Sequence, residues 1–437
     1  MNSTVSQSYF HLVISLIAIP GMLSDIFIIK FIILIYAIYL VLKKKAEYLP
    51  ALMVISTFTT NSYFILLAMA VVAALNYNVL RGAKVQYLFL FLLLFILYIG
   101  YQIISMMASS STKIGIIMSQ YEYYFSLFAF FYGIILMKSF NKKVLNAAFV
   151  ALILLAVINL LKPYIDNLQT VRLVFYIFPL FSLLLIYGVY TNNRMLSMPQ
   201  VLLLFLITIS FFLNGLTFTL LLSLLLSIYL AYLYFKRKGM FLFRFTGYPI
   251  YIFLTISMIY TISTFDKSDF SAYKNIKMTE ITSFESLGDR FKMKLFEDRG
   301  PIWAGVWMSI VTRPQWMPPE SVESIKVVNK FGGKDIDFEF HTHNIFLDII
   351  RENGLIFGAS FIFVYVRILL LARKVVFISE INPLFMLLVL NAISCMIIGS
   401  FTGVYVLLTT FSIFIMALLG IAYAAYIYPN IFKINMA

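Results

Sequence analysis

Residues 86–107 form a predominantly apolar run without a charged residue and read QYLFLFLLLFILYIGYQIISMM. As a helix, this run is long enough to cross the roughly 30 Å hydrocarbon core of a bilayer. Comparable runs recur along the 437 residues, of which 62% are apolar and 12% charged. A soluble domain of this size buries at most about three quarters of its surface. The composition therefore excludes a soluble enzyme, a disordered chain and a secreted disulfide scaffold, and it predicts an all-α polytopic membrane protein.

The apolar runs give about 14 candidate transmembrane helices, or 12 to 13 because several near the N-terminus are short. They are residues 8–22, 26–42, 50–61, 62–79, 86–107, 122–138, 144–161, 173–190, 198–213, 216–235, 246–264, 353–372, 382–399 and 401–427. Residues 50–79 are counted as two short segments, because only then do the basic loops fall on one side.

The charges divide the chain into three parts. Residues 266–339 hold 12 of the 19 acidic residues but only 11 of the 33 basic ones. The sequence therefore predicts N-terminal transmembrane helices (1–264), one large polar loop (265–343) and C-terminal transmembrane helices (344–437). Basic residues mark the cytoplasmic side of membrane proteins, which places both termini inside and the loop in the periplasm of a bacterium. The net charge of +14 is explained in this way, without nucleic acid as a partner.

The polar loop ends in Glu339-Phe-His-Thr-His-Asn344, and an apolar helix follows at once. A histidine at a helix start on the membrane surface can exchange a proton near neutral pH, which makes His343 a candidate general base. The alternative is that His343 caps the helix and His341 is an ordinary loop residue. A zinc site at His341 and His343 lacks a third strong ligand beside them, so no metal is expected.

Arginines on the same predicted face are candidate phosphate ligands. Arg299 precedes Pro301, which suits the first turn of a helix, and its planar guanidinium can grip a phosphate with two hydrogen bonds. Arg172 stands just before the predicted span 173–190, and Arg290 lies further along the loop. The alternatives are a solvated surface arginine at 299 and an interfacial anchor at 172.

The order Arg299-x-x-x-Trp303, then His341-x-His343-Asn344-x-x-Leu347, then Glu352-x-Gly354-Leu355 resembles the bacterial O-antigen polymerase and O-antigen ligase superfamily. The resemblance covers about residues 285–370, and topology alone carries it elsewhere. It implies a GT-C-like inner-membrane glycosyltransferase that acts at the periplasmic face. His343 and Arg299 are similar to the essential loop histidine and arginine of that family. Arg172 aligns more loosely with an outer arginine that many members carry.

The implied reaction transfers a glycan from undecaprenyl diphosphate with inversion, and no cofactor is expected because the lipid diphosphate is already activated. The catalytic residues would be His343 as base and Arg299 at the leaving group. The substrate-binding residues would be Arg172, Arg290, Trp303, His341 and Asn344. The partners implied are this donor, a glycan acceptor, bilayer lipid and a chain-length regulator protein.

The glycan acceptor distinguishes two possible activities within this superfamily. A polymerase extends another lipid-linked repeat unit, whereas a ligase transfers the glycan to lipid A core. Many ligases carry an arginine where this chain has Asn214-Gly-Leu-Thr217, and the count of about 14 spans is nearer to polymerases, so a polymerase is favoured. A polysaccharide flippase is the alternative of another class, but transporter sites lie near the bilayer midplane and the polar groups here concentrate outside it.

Single cysteines test the predicted topology. We expect Ser268→Cys and Lys330→Cys, each in a Cys395→Ala background, to react with a membrane-impermeant maleimide in cells with a permeabilised outer membrane. Labelling that appears only after the inner membrane is lysed would show that residues 265–343 face the cytoplasm.

Overall fold

The computed structural model covers the whole chain and is described at residues 7–24, 26–59, 62–108, 124–160, 344–378, 381–402 and 411–436, with short pieces between 180 and 338. Twelve α-helices lie within these ranges. They are α1 (Gln7–Leu23), α2 (Phe27–Leu42), α3 (Leu49–Phe58), α4 (Ser62–Leu75), α5 (Tyr77–Gly82), α6 (Gln86–Ala108), α7 (Phe128–Leu136), α8 (Lys142–Leu160), α9 (Ile345–Ala372), α10 (Pro383–Thr402), α11 (Phe411–Ile427) and α12 (Pro429–Met436).

The described part of the chain is helical except for one small ribbon in the polar loop. Strand β1 (Ile325–Val327) pairs antiparallel with β2 (Ile336–Phe338), and Ile325 stands opposite Phe338. The all-α prediction is therefore correct for the helices and missed this ribbon. Short runs such as Ile-Lys-Val alternate apolar and polar residues, which is the pattern of a strand.

The helix bounds agree closely with the predicted apolar segments. Residues 50–79 form separate helices, α3 and α4, as the division of that stretch predicted. The predicted spans 173–190, 198–213, 216–235 and 246–264 lie outside the described residues, apart from a few helical positions such as Leu180. The total of 12 to 14 crossings therefore stays a prediction.

Two helices of the described residues are long and apolar enough to cross a membrane, namely Asn353–Phe377 and Pro383–Ser400. A third candidate span combines Ile413–Ile427 with Pro429–Asn435, although these two pieces are bent by 114°. Further apolar helices are shorter, among them α1, α2 and α4.

Several helices expose large apolar side chains along one face. On α6 the exposed residues recur every three or four positions, at Leu90, Leu94, Leu97, Tyr101 and Ile104. Soluble proteins rarely expose so continuous an apolar stripe. Together with the apolar helices, this surface identifies the chain as a membrane protein.

The chain forms two compact units. The first comprises 1–236, 364–397 and 405–437, and the second comprises 237–363 and 398–404. The predicted loop 265–343 falls wholly in the second unit, and the last helices of the chain join the N-terminal helices in the first.

The core of the first unit is the crossing of α7 and α11. Helix α7 is buried on nearly all sides, with Phe128, Phe130, Phe131 and Tyr132 at 0% exposure. A Cβ atom added to Gly133 would overlap the backbone carbonyl of Ala417, and one added to Gly420 would overlap that of Phe130. The two backbones therefore touch where the glycines lie, as is common when small residues line the contact between membrane helices.

Hydrogen bonds bring the basic loops of the first unit to one end of its helices. The Ala46 amide donates to Ser139 Oγ (2.7 Å), the Asn435 side chain donates to the carbonyl of Lys138 (2.9 Å), and the Tyr423 hydroxyl donates to the carbonyl of Ala83 (2.9 Å). The ammonium group of Lys374 lies 5.6 Å from the ring centre of Tyr426. We call this the basic end; it comprises the segments 43–48, 77–85, 137–143, 373–378 and 428–436, which include the short helices α5 and α12.

The same contacts fix the course of α3 and α4. Ala46 before α3 and Ala83 after α4 both lie at the basic end, so the two helices leave that end and return to it. At 1.5 Å per residue they are about 15 Å and 21 Å long, shorter than the hydrocarbon core. They form either a re-entrant hairpin or two short crossings. In both cases the chain before α3 and the chain after α4 lie on the same side of the membrane, as the charge pattern requires.

Alanine substitutions test the backbone contact in this core. We expect Gly133→Ala and Gly420→Ala each to lower the melting temperature in detergent, because overpacking costs about 1–3 kcal/mol. Gly100→Ala is the matched control, since a Cβ there meets nothing within 4 Å and alanine favours helix by up to about 1 kcal/mol. Unchanged melting of the Gly133→Ala protein would contradict the contact.

Candidate active site

Most predicted site residues lie outside the described residues, namely Arg172, Arg290, Arg299, His341 and His343. Two lie inside, Asn344 and Trp303. The structure therefore describes the surroundings of Asn344 and Trp303 and the contact between the polar loop and α9.

Asn344 caps the start of α9. Its side-chain Oδ1 accepts hydrogen bonds from the amides of Phe346 (3.0 Å) and Leu347 (3.3 Å), and its carbonyl accepts from the amide of Asp348 (3.0 Å). This is the usual geometry of an asparagine at a helix N-cap. The alternative in which His343 provides this cap is therefore wrong, and the side chain of His343 is not needed for it.

Helix α9 is broken at Gly354, which has φ 76° and ψ 171°. That region of backbone conformation is essentially restricted to glycine. Residues 345–353 thus form a first helix, and a second begins after the break. The two pieces pack tightly, since a Cβ added to Gly358 would lie 2.7 Å from the Cα of Ile350.

The polar loop provides acceptors for backbone amides that have no helical partner at this break. A new helix start exposes amide donors that have no partner within the helix. The amide of Leu355 donates to the carbonyl of Gln315 (2.8 Å), and the amide of Ile356 donates to that of Trp316 (3.2 Å). The segment 314–316 is therefore docked by backbone bonds on the break. Gly354, where the break lies, is eleven residues after His343 in the chain.

All three tryptophans of the chain lie within 303–316. Trp303 is 5% exposed and Val306 is fully buried, whereas Trp307 is 38% and Trp316 64% exposed. In the described structure, Trp303 thus packs inside, and the more accessible indoles are the other two. The sequence analysis singled out Trp303 from its spacing to Arg299 and missed Trp316, which stands beside Pro314 and Gln315.

Asp348 is a second residue that the sequence analysis passed over. It lies one turn after Asn344 in the first turn of α9 and is 1% exposed. A carboxylate at a helix N-terminus interacts favourably with the helix dipole. Ionisable residues buried in apolar helices of membrane proteins usually mark functional sites, and this was the signal available in the sequence.

Within the part of the chain that the structure describes, no three His, Cys, Asp or Glu side chains are grouped as a metal site would require. Cys395 is buried in α10.

Comparison with protein-family models, with curated proteins and with solved structures finds no match for this chain.

Substitution of Gly354 tests the docked break. We expect both Gly354→Ala and Gly354→Asn to weaken docking, because the backbone region at Gly354 excludes asparagine as well as alanine. The measurement is oxidative crosslinking of Gln315→Cys to Leu355→Cys in the Cys395→Ala background. Ala359→Ser, at an exposed helical position, is the control and should leave crosslinking unchanged. Equal crosslinking with and without Gly354→Ala would refute the role of the break.

Proposed function

We propose that this chain is a membrane glycosyltransferase that polymerises O-antigen or another surface polysaccharide. It transfers a glycan from undecaprenyl diphosphate onto the non-reducing end of another lipid-linked repeat unit. The active site is built from the end of the polar loop and the start of α9, at the periplasmic face of the bacterial inner membrane.

The observation that carries the proposal is the docking of 314–316 on the break at Gly354. Arg299 and Trp303 precede the docked segment, and His343 and Asn344 precede the break. The backbone bonds at Leu355 and Ile356 therefore tie together two regions that are far apart in the chain and that hold the residues of the signature. The geometry supports an assembled site at one helix end, as a transferase needs to hold two substrates in register.

The position of the break along α9 supports an outward-facing site. Gly354 and Arg373 stand near the two ends of the candidate span Asn353–Phe377. Arg373 and Lys374 belong to the basic end, and basic loops are usually cytoplasmic. On that orientation the start of α9 meets the periplasmic surface, where the lipid-linked donor presents its diphosphate.

The proposed chemistry follows from the residue types. Arg299, with Arg172 and Arg290, binds the diphosphate and stabilises the charge that develops on the leaving group, an effect that can contribute several kcal/mol in a partly dewatered cleft. His343 accepts the proton of the attacking sugar hydroxyl, and general-base catalysis typically contributes 10²–10⁴ in rate. Trp303, His341 and Asn344 complete the proposed glycan-binding residues. Trp316 is a further candidate because its indole is exposed.

Ligase activity is the alternative within the same chemistry, and the products distinguish it. In the native host, loss of a polymerase leaves lipid A core with a single repeat, whereas loss of a ligase leaves bare core.

Two histidine substitutions test the proposed base. We expect His343→Ala to abolish polymer on a lipopolysaccharide gel while the protein still accumulates in the membrane fraction. His341→Ala should keep substantial activity, because on an extended chain alternate side chains point to opposite sides. Full-length polymer from His343→Ala would refute the catalytic role.

Asn344→Ala gives the melting shift that loss of the helix cap produces, and the His343→Ala protein is compared with it. Loss of the cap costs about 1 kcal/mol and should lower the melting temperature, whereas His343→Ala should not. If the His343→Ala protein melted as early as the Asn344→Ala protein, its loss of activity would be structural.

A further inference from the structure

Helix α12 lies across the basic end and is held there by contacts on one side. It is bent by 114° from the helix that precedes it. Phe432 is 2% exposed, and its ring centre lies 4.9 Å from that of Phe385 and 6.3 Å from that of Phe140. With the bond from Asn435 to the carbonyl of Lys138, these contacts fix α12 against the loop between α7 and α8.

The other side of α12 exposes apolar side chains. Ile431 is 39% and Ile434 77% exposed, and residues three apart share a face of a helix. At the same end, Tyr39 and Leu42 of α2 are also exposed, at 48% and 49%. Exposure of such an apolar surface to water is unfavourable.

The charged residues around α12 are predominantly basic. Six exposed lysines stand in the two segments that the Ala46 to Ser139 bond joins, 43–48 and 137–143, namely Lys43, Lys44, Lys45, Lys138, Lys142 and Lys143. Among the described residues of the basic end, Glu47 is the one acidic residue. The ammonium of Lys43 lies 5.0 Å from the ring centre of Tyr39. Tyrosine paired with lysine is typical of the headgroup level of a membrane.

We propose that α12 and these six lysines bind the headgroups of an anionic phospholipid leaflet. Helix α12 lies in the plane of the headgroups, with Ile431 and Ile434 directed at the acyl chains, and the lysines bind lipid phosphates. A short amphipathic helix with a basic surround is the usual form of such an interfacial anchor. The surface is independent of the proposed transferase site, and it makes the stability of the first unit depend on leaflet composition.

Lipid retention and melting test this inference on the full-length protein. The protein is reconstituted in nanodiscs of phosphatidylcholine alone or mixed with phosphatidylglycerol, and the lipids that stay bound after detergent extraction are counted by native mass spectrometry. We expect about tenfold preferential retention of phosphatidylglycerol, since each lysine near an anionic surface adds to the attraction. Phosphatidylglycerol should also raise the melting temperature.

Two variants of the six lysines separate charge from structure. Replacement of all six by glutamine should remove the preference, whereas replacement by arginine should keep it. Ile434→Gln should weaken the stabilisation by phosphatidylglycerol, and Ile104→Gln, at an exposed apolar position of α6, should not.

Three outcomes would overturn the proposal. They are equal retention of the two lipids by the wild-type protein, an unchanged preference in the glutamine variant, and equal stabilisation by soluble glycerol phosphate. The last would show a phosphate-binding surface for a soluble partner instead of a leaflet. A glutamine variant that fails to accumulate leaves the arginine and Ile434→Gln variants to decide, because both keep the charge.

Discussion

The close approach of two backbones at Gly133 and Gly420 is the contact on which the first unit depends. Lipid chains are as apolar as leucine, so helices in a bilayer gain little from simple burial and depend on tight packing instead. A glycine on each helix lets α7 and α11 touch without side chains between them. Helix α11 then reaches the basic end at a fixed height, where Tyr423 bonds to the carbonyl of Ala83 and Lys374 lies over Tyr426. Helix packing therefore brings the segments of the basic end together, and this places their basic residues at one end of the unit.

A glycine performs a different task in the second unit. Gly354 adopts a backbone conformation that is essentially restricted to glycine. As a result α9 is interrupted there, and a second helical segment begins after the break. In a membrane, unsatisfied amide donors cost several kcal/mol each, so the second start needs acceptors from elsewhere in the chain. The loop supplies the carbonyls of Gln315 and Trp316. Because only backbone atoms make these bonds, the docking places few demands on the side chains of the loop.

The sequence predicted the helices well and their interruptions poorly. Unbroken apolar runs gave α6 to within one residue at each end, because length and lack of charge are direct consequences of the bilayer. The stretch 401–427 was predicted as one span and no helix was predicted after it, but residues 429–436 form α12. Pro429 at the first position of that helix was a usable signal. The packing of Phe432 against Phe140 and Phe385 joins residues far apart in the chain, and no local pattern encodes it.

The candidate site divides in the same way. Residue types and spacing singled out Asn344 and Trp303 together with the histidines and arginines, but did not assign the cap to Asn344 or the burial to Trp303. The burial of Trp303 depends on which neighbours the fold supplies. The cap is local, since Asn344 bonds to the amides of its own next residues and asparagine is a preferred N-cap residue. Arg299 and His343 lie outside the described residues, so their mutual arrangement stays a prediction, and only the connection between their flanking segments rests on observed bonds.

The start of α9 also indicates what kind of surroundings the site has. Asn344 and Asp348 stand one turn apart on one face of the helix, and both are almost fully buried. A carboxylate and an amide on that face are incompatible with contact to acyl chains, because burying a charge in hydrocarbon is expensive unless polar groups surround it. The face must therefore be turned toward protein. The proposed base, His343, directly precedes this protein-covered helix start in the sequence, and fixed polar groups in such surroundings stabilise developing charge more strongly than water does.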